Sequence, residues 1–211
     1  MNRKLKGLGL MFVALLTLAG FSSSATATEF HSETAHTIII GERFAGATNV
    51  FTVNAGNITC KETSYSGTST SVTTSELTVT PLYKGCTAFG FVETTFDVPS
   101  GCDFKFTPIT ALSELHITCG KEEHLTVTAF NCWITIGSQA VNAGLNYSNG
   151  GASGWTRDFV VGGEVSGLTY TQHSKSFPGC TNGTFTNGKY SGPMTISGRD
   201  TEGRQVGIWH E

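Results

Sequence analysis

The chain has 211 residues, a net charge of −3, 10% aromatic residues and only 14% charged ones. Charge this low with aromatics this frequent excludes an intrinsically disordered chain, and the small share of Ala, Glu, Lys, Leu and Arg excludes a coiled coil. The acidic balance also argues against a phosphate backbone as partner. What is left is a globular chain whose commonest residue is Thr, a β-branched side chain that fits a pleated surface better than a helix.

In chain order, the first element predicted is an export signal. Arg3, Lys4 and Lys6 precede an apolar run over 8–21, and Ala25 and Ala27 then stand at the small-residue positions of a cleavage site. The run is 14 residues long, short of the ~20 that a membrane-spanning helix needs. Residues 1–27 therefore read as a signal peptide, cleaved near Ala27. Cleavage removes three cations and no acid, which takes the net charge from −3 to −6 and disfavours docking on anionic lipid by charge. Residues 28–36 read as a flexible start, and 37–211 as one domain with no transmembrane anchor. If cleavage fell instead after Thr28, Glu29-Phe30-His31 would place His third, a set that can hold Cu(II) in a square plane. Cleavage after Ala27 removes that possibility, and no cofactor is expected.

After the signal, short alternating or β-branched runs recur, among them 37–40, 49–53, 58–65, 76–83, 89–98, 103–106, 115–119, 125–130, 133–136, 144–147, 157–161, 166–171, 184–191, 194–197 and 205–209. Turn clusters separate them, including Asn54-Ala-Gly56, Pro99-Ser-Gly101, Gly162-Gly163 and Asn187-Gly188. This spacing predicts an all-β, antiparallel sandwich or barrel-like fold with almost no helix. Within Leu77-Thr-Val-Thr-Pro-Leu-Tyr83 the Thr face looks outward, with Leu77, Val79 and either Pro81 or Leu82 facing in.

Six cysteines, an even number in an exported chain, read as three disulfides. No two are closer than 13 residues, so no zinc knuckle is present. Fifteen pairings are possible. A hairpin centred near Thr110 sets Cys102 opposite Cys119. Strands flanking the Ser/Thr-rich turn at 68–71 bring Cys60 to Cys86, which leaves Cys132 for Cys180.

Enzymatic patterns are sparse. Glu93 and Asp97 share a strand face about 13 Å apart, beyond the ~6.5–9.5 Å of an inverting glycosidase pair. His116 and His124 read as ordinary strand and turn histidines. Trp155, at the end of a Gly/Ser/Asn loop and beside Arg157 and Asp158, is the candidate ligand platform. Trp133 is expected to pack near the Cys132 bridge, and Trp209 in the core. Asn57, Asn146 and Asn182 begin glycosylation sequons.

The segments Cys60-Lys-x4-Ser-Gly-Thr68, Leu77-Thr-Val-Thr-Pro-Leu-Tyr-Lys-Gly-Cys-Thr-Ala-Phe-Gly90, Gly101-Cys102, and Tyr190-Ser-Gly through Val206-Gly-Ile-Trp209 carry a resemblance. In them the chain resembles a group of uncharacterised secreted β-rich proteins of actinobacteria. It departs from the group at Gly120-Lys121, where Pro is common after the cysteine. The resemblance implies export and a disulfide-bonded β fold, and it assigns no catalytic or binding residue. The reading is a secreted structural or interaction protein rather than an enzyme. The alternatives are an extracellular domain that binds a cell-surface glycan or protein, and a secreted hydrolase with a non-local site.

Overall fold

A computed structural model describes residues 28–108, 113–150, 158–175 and 180–211. Among them are seventeen strands and no helix. The first five are β1 (Phe30–Ser32), β2 (Thr37–Arg43), β3 (Asn49–Val53), β4 (Gly56–Ser69) and β5 (Thr73–Thr74). The middle of the chain holds β6 (Leu77–Ala88), β7 (Val92–Asp97), β8 (Asp103–Thr107), β9 (Ser113–Thr118), β10 (Leu125–Ala129) and β11 (Cys132–Ile136). Then come β12 (Gln139–Asn149), β13 (Phe159–Ser174), β14 (Gly183–Ser191), β15 (Met194–Arg199), β16 (Gln205–Val206) and β17 (Ile208–His210).

Side-chain alternation sets the faces. In β8 to β11, Phe104, Phe106, Leu115, Ile117, Leu125, Val127, Ile134 and Ile136 are all buried, while the Thr, Lys and His between them are not. A slip of one residue would turn every one of these side chains to water, so the apolar pattern pins the register. In β6 it is Pro81 that faces in and Leu82 that is exposed. Pro81 lies in the stretch where β6 has no partner on its β7/β8 side, a place that tolerates the missing N–H.

Antiparallel pairing closes twice. One ring runs β4–β6–β7–β10–β11–β13–β14–β3 and back to β4. The other runs β4–β6–β8–β9–β12–β13–β15–β2 and back to β4. Each has eight strands, and both share the long strands β4, β6 and β13. The fold is thus barrel-like: two rings stacked end to end on three continuous strands. Closure leaves few strand edges bare, which guards an all-β chain against edge-to-edge association.

A small sheet, β17–β1–β5, covers the free end of the second ring. Its Phe30 is 1% exposed, stacks on Phe159 and meets Tyr147 edge-on. The segment 28–36, read from the sequence as a flexible start, contains β1. Phe30 supplies the apolar plug, and Glu29 and Glu211 exchange both backbone hydrogen bonds, so the two ends of the domain hold each other. Gly162-Gly163 and Asn187-Gly188, read as turns, lie inside β13 and β14.

The three disulfides are Cys60–Cys86, Cys102–Cys119 and Cys132–Cys180, as the strand argument predicts. Cys60 and Cys86 are direct partners in the β4–β6 ladder. Asp103 pairs with Thr118, which sets Cys102 against Cys119. No helix among the described residues is long and apolar enough to cross a membrane.

Where the rings meet, Tyr65, Tyr83 and Tyr190 turn their hydroxyls toward one another. Tyr65 Oη lies 3.1 Å from Tyr190 Oη and 3.4 Å from Tyr83 Oη, and Asn49 Nδ2 donates to Tyr190 Oη at 2.9 Å. Burial, and then repulsion between neighbouring phenolates, pushes these three phenols well above their usual pKa of 10.0. Burial also raises Tyr170, and raises Tyr147 to about 12. These are all five tyrosines of the chain. An unfolded chain ionises them at 10.0 and the folded one only above it, so their contribution to stability is whole below pH 10 and is lost as pH rises beyond it. Alkaline titration of the native protein should therefore show phenolate absorbance displaced to higher pH than in the unfolded chain. Phenolate appearing near pH 10 with the strands intact would contradict this.

Candidate functional site

Among the described residues, the cavities inside the rings are small. The space bounded by Tyr65, Phe104, Tyr147, Val161, Tyr190 and Met194 amounts to about 30 Å³, room for a water or two and not for an organic ligand. The larger depression is outside, at the seam between the rings. A groove of about 480 Å³ there is lined by Glu122, Glu123, His124, Thr135, Ser138, Gln139, Thr169 and Thr171, among others.

Its walls are held by side-chain bonds to the backbone. The Gln139 side chain donates from Nε2 to the Thr169 carbonyl at 2.9 Å and accepts the Thr169 N–H at 2.8 Å, tying the start of β12 to the middle of β13. Ser138 Oγ accepts the Cys119 N–H at 2.9 Å, which links the groove to the Cys102–Cys119 bridge. The Glu123 carboxylate rests over Gly101 and Gly120, where a Cβ would come within 2.2 and 2.5 Å of Oε2. Thr135 and Thr171 face each other across the β11–β13 ladder, and the Thr171 hydroxyl meets that of Thr184 at 3.0 Å.

Two rungs along the same ladder, on the same face, stands an aromatic pair. Trp133 opposes His173, with ring centroids 5.1 Å apart and planes 10° from parallel. The Lys175 ammonium lies 5.6 Å from the Trp133 ring. The surface thus runs from an aromatic stack, past two threonines, into a groove of hydroxyl, amide, imidazole and carboxylate groups. Such a mixture suits a ligand with both a ring face and many hydroxyls.

Trp155 and Arg157 lie outside the described residues. Asp158 is 1% exposed at the mouth of β13, and its carbonyl accepts the Gly150 N–H at 2.7 Å. Glu93 and Asp97 are exposed on β7, and His116 pairs with Glu114 at 3.1 Å. Of the histidines weighed from sequence only His124 reaches the groove. Among the described residues no three His, Cys, Asp or Glu side chains gather as a metal site. Trp209 is half-buried on the capping sheet rather than in the core, stacked on His31.

The sequence reading passed over Trp133 as a group for ligand contact. The signal was present in Cys132-Trp-Ile-Thr-Ile136: with Ile134 and Ile136 facing in, Trp133 and Thr135 must face out on one side of the strand. Compared with protein-family models, curated proteins and solved structures, the chain matches none.

Proposed function

We propose that this chain is an exported interaction protein that works outside the cell by binding, and that its working surface is the outer face from Trp133 to the seam groove. Saccharide is the ligand class that this face favours. The observation that carries the reading is the continuity of the Trp133–His173 stack, through Thr135 and Thr171 on the same ladder, with the groove that Ser138 and Gln139 also line. The signal-like residues 1–27 and the three disulfides support export. The small size of the interior cavities supports recognition at a surface over catalysis in an enclosed cavity.

A glycan array tests this. The wild-type protein should be retained on at least one glycan class, and Trp133→Ala should reduce retention at least tenfold while its melting temperature stays close to wild type. Trp133 is only half-buried, so the fold tolerates the change. Equal retention of the two proteins sinks the reading.

A further inference from the structure

At the free end of the first ring, opposite the capping sheet, three turns lie side by side. They join β3 to β4 at 54–55, β6 to β7 at 89–91 and β10 to β11 at 130–131. Their adjacency follows from the ladders: Ile58 pairs with Ala88, Cys86 with Thr94, and Thr94 with Ala129. The Phe89 N–H also donates to the Asn57 carbonyl at 3.2 Å.

Two of these turns carry phenylalanine into solvent. Phe91 is 82% exposed, Phe130 73% and Phe89 37%. Phe89 and Phe130 occupy the first position of their turns with φ of 55° and 52°. That left-handed position normally falls to Gly, Asn or Asp, and a bulky ring is strained in it. The same costly choice occurs in two neighbouring hairpins. None of the residues 54–57, 89–92 or 130–131 is charged, in a chain with 29 Lys, Arg, Asp and Glu.

We propose that this end inserts shallowly into a lipid bilayer, with the Phe91 and Phe130 rings in the acyl layer and Phe89, folded over Gly56, at its edge. The exposed phenylalanine area is small against a stable protein interface of standard size. A phenylalanine side chain offers about 150–250 Å², so the three exposed fractions together present roughly 400 Å², half the ~800 Å² per partner of a standard interface. A bilayer needs no matching surface. The next level of the structure fits its headgroup zone. Trp133 stands about two strand residues, roughly 7 Å, behind Phe130, and the Lys175 ammonium lies by its ring. Interfacial elements sink about 5–10 Å, which leaves the indole and the ammonium at headgroup depth, where both are favoured. The chain is acidic overall, so the attraction is apolar and does not require anionic lipid.

The experiment is flotation of the purified protein with phosphatidylcholine vesicles, against the double variant Phe91→Asp/Phe130→Asp, with melting temperatures measured in parallel. The wild type should float, equally in low and high salt, and the variant should bind at least tenfold less. Because both side chains are exposed, the variant should melt close to wild type. Should it misfold, quenching of wild-type tryptophan by brominated lipid, lost in Trp133→Phe, carries the same test. Wild-type protein that stays with the soluble fraction overturns the proposal. So does flotation unchanged in the variant, binding that requires anionic lipid and vanishes with salt, or a phenylalanine-dependent dimer without flotation. Glycan retention by the double variant separates this end from the Trp133 groove.

Discussion

Gly163→Ala should lower stability by about 4 kcal/mol, the upper range for a single substitution. Gly163 sits within β13, the strand common to both rings, with φ of 107°. An L side chain at such a φ is strained by about 1–3 kcal/mol. A Cβ there would also lie 2.1 Å from the Gly144 carbonyl oxygen and 3.2 Å from Leu145 Cα. Those are backbone atoms of β12, so no side-chain rotation can relieve the contact, and the β12–β13 ladder has to part. For a domain of this size the loss corresponds to roughly 8–16 °C in melting temperature. Gly137→Ala is the control: nothing lies within 4 Å of its Cβ and its φ is not left-handed. Thermal melts that rank Gly163→Ala with Gly137→Ala would refute the account.

Removing the Cys132–Cys180 bridge as Cys132→Ala/Cys180→Ala should have an effect of similar size. The bridge spans a sequence separation of 48, against 17 for Cys102–Cys119. In the chain-entropy account this gives about 4 kcal/mol for the first and about 3 kcal/mol for the second. Position adds to length. Cys132 opens β11, whose pairing with β13 closes the first ring, and Cys180 leads into β14 on the other side of β13. Beside it the fully buried Gln172 donates from Nε2 to the Thr181 carbonyl at 2.9 Å, a bond that the freed chain would loosen. Denaturant melts of the two double variants under non-reducing conditions provide the check. A smaller loss for the Cys132/Cys180 variant than for the Cys102/Cys119 variant would show that the loop argument fails here.

Local chemistry accounts for what could be read in advance. Alternation in Leu125-Thr-Val-Thr-Ala129 and Cys132-Trp-Ile-Thr-Ile136 defines strands and their inner faces, because a side chain's face changes with every residue. Hairpin symmetry then brings Cys102 to Cys119 and Cys60 to Cys86. Gly162-Gly163 misleads for a physical reason. Glycine marks a turn when only backbone freedom is required, but here it marks a close approach between strands, and the partner atom, the Gly144 carbonyl, lies 19 residues away in sequence. The strand at Phe30 was hidden because three residues have no period to read, and the pocket that Phe30 fills is built from Tyr147 and Phe159.

By itself, the sequence determined an all-β chain and the pairing of Cys102 with Cys119 and Cys60 with Cys86, since these follow from neighbours within one hairpin, and elimination then left Cys132 for Cys180. Tertiary structure alone decided that the strands close into two rings on β4, β6 and β13, that Trp133 meets His173 above the seam groove, and that two phenylalanine-bearing turns share one end. Those depend on pairings such as β3 with β14 and β2 with β15, between segments more than a hundred residues apart. Nothing in a strand's own alternation names its partner. That is settled by the packing of the whole set of faces around one core.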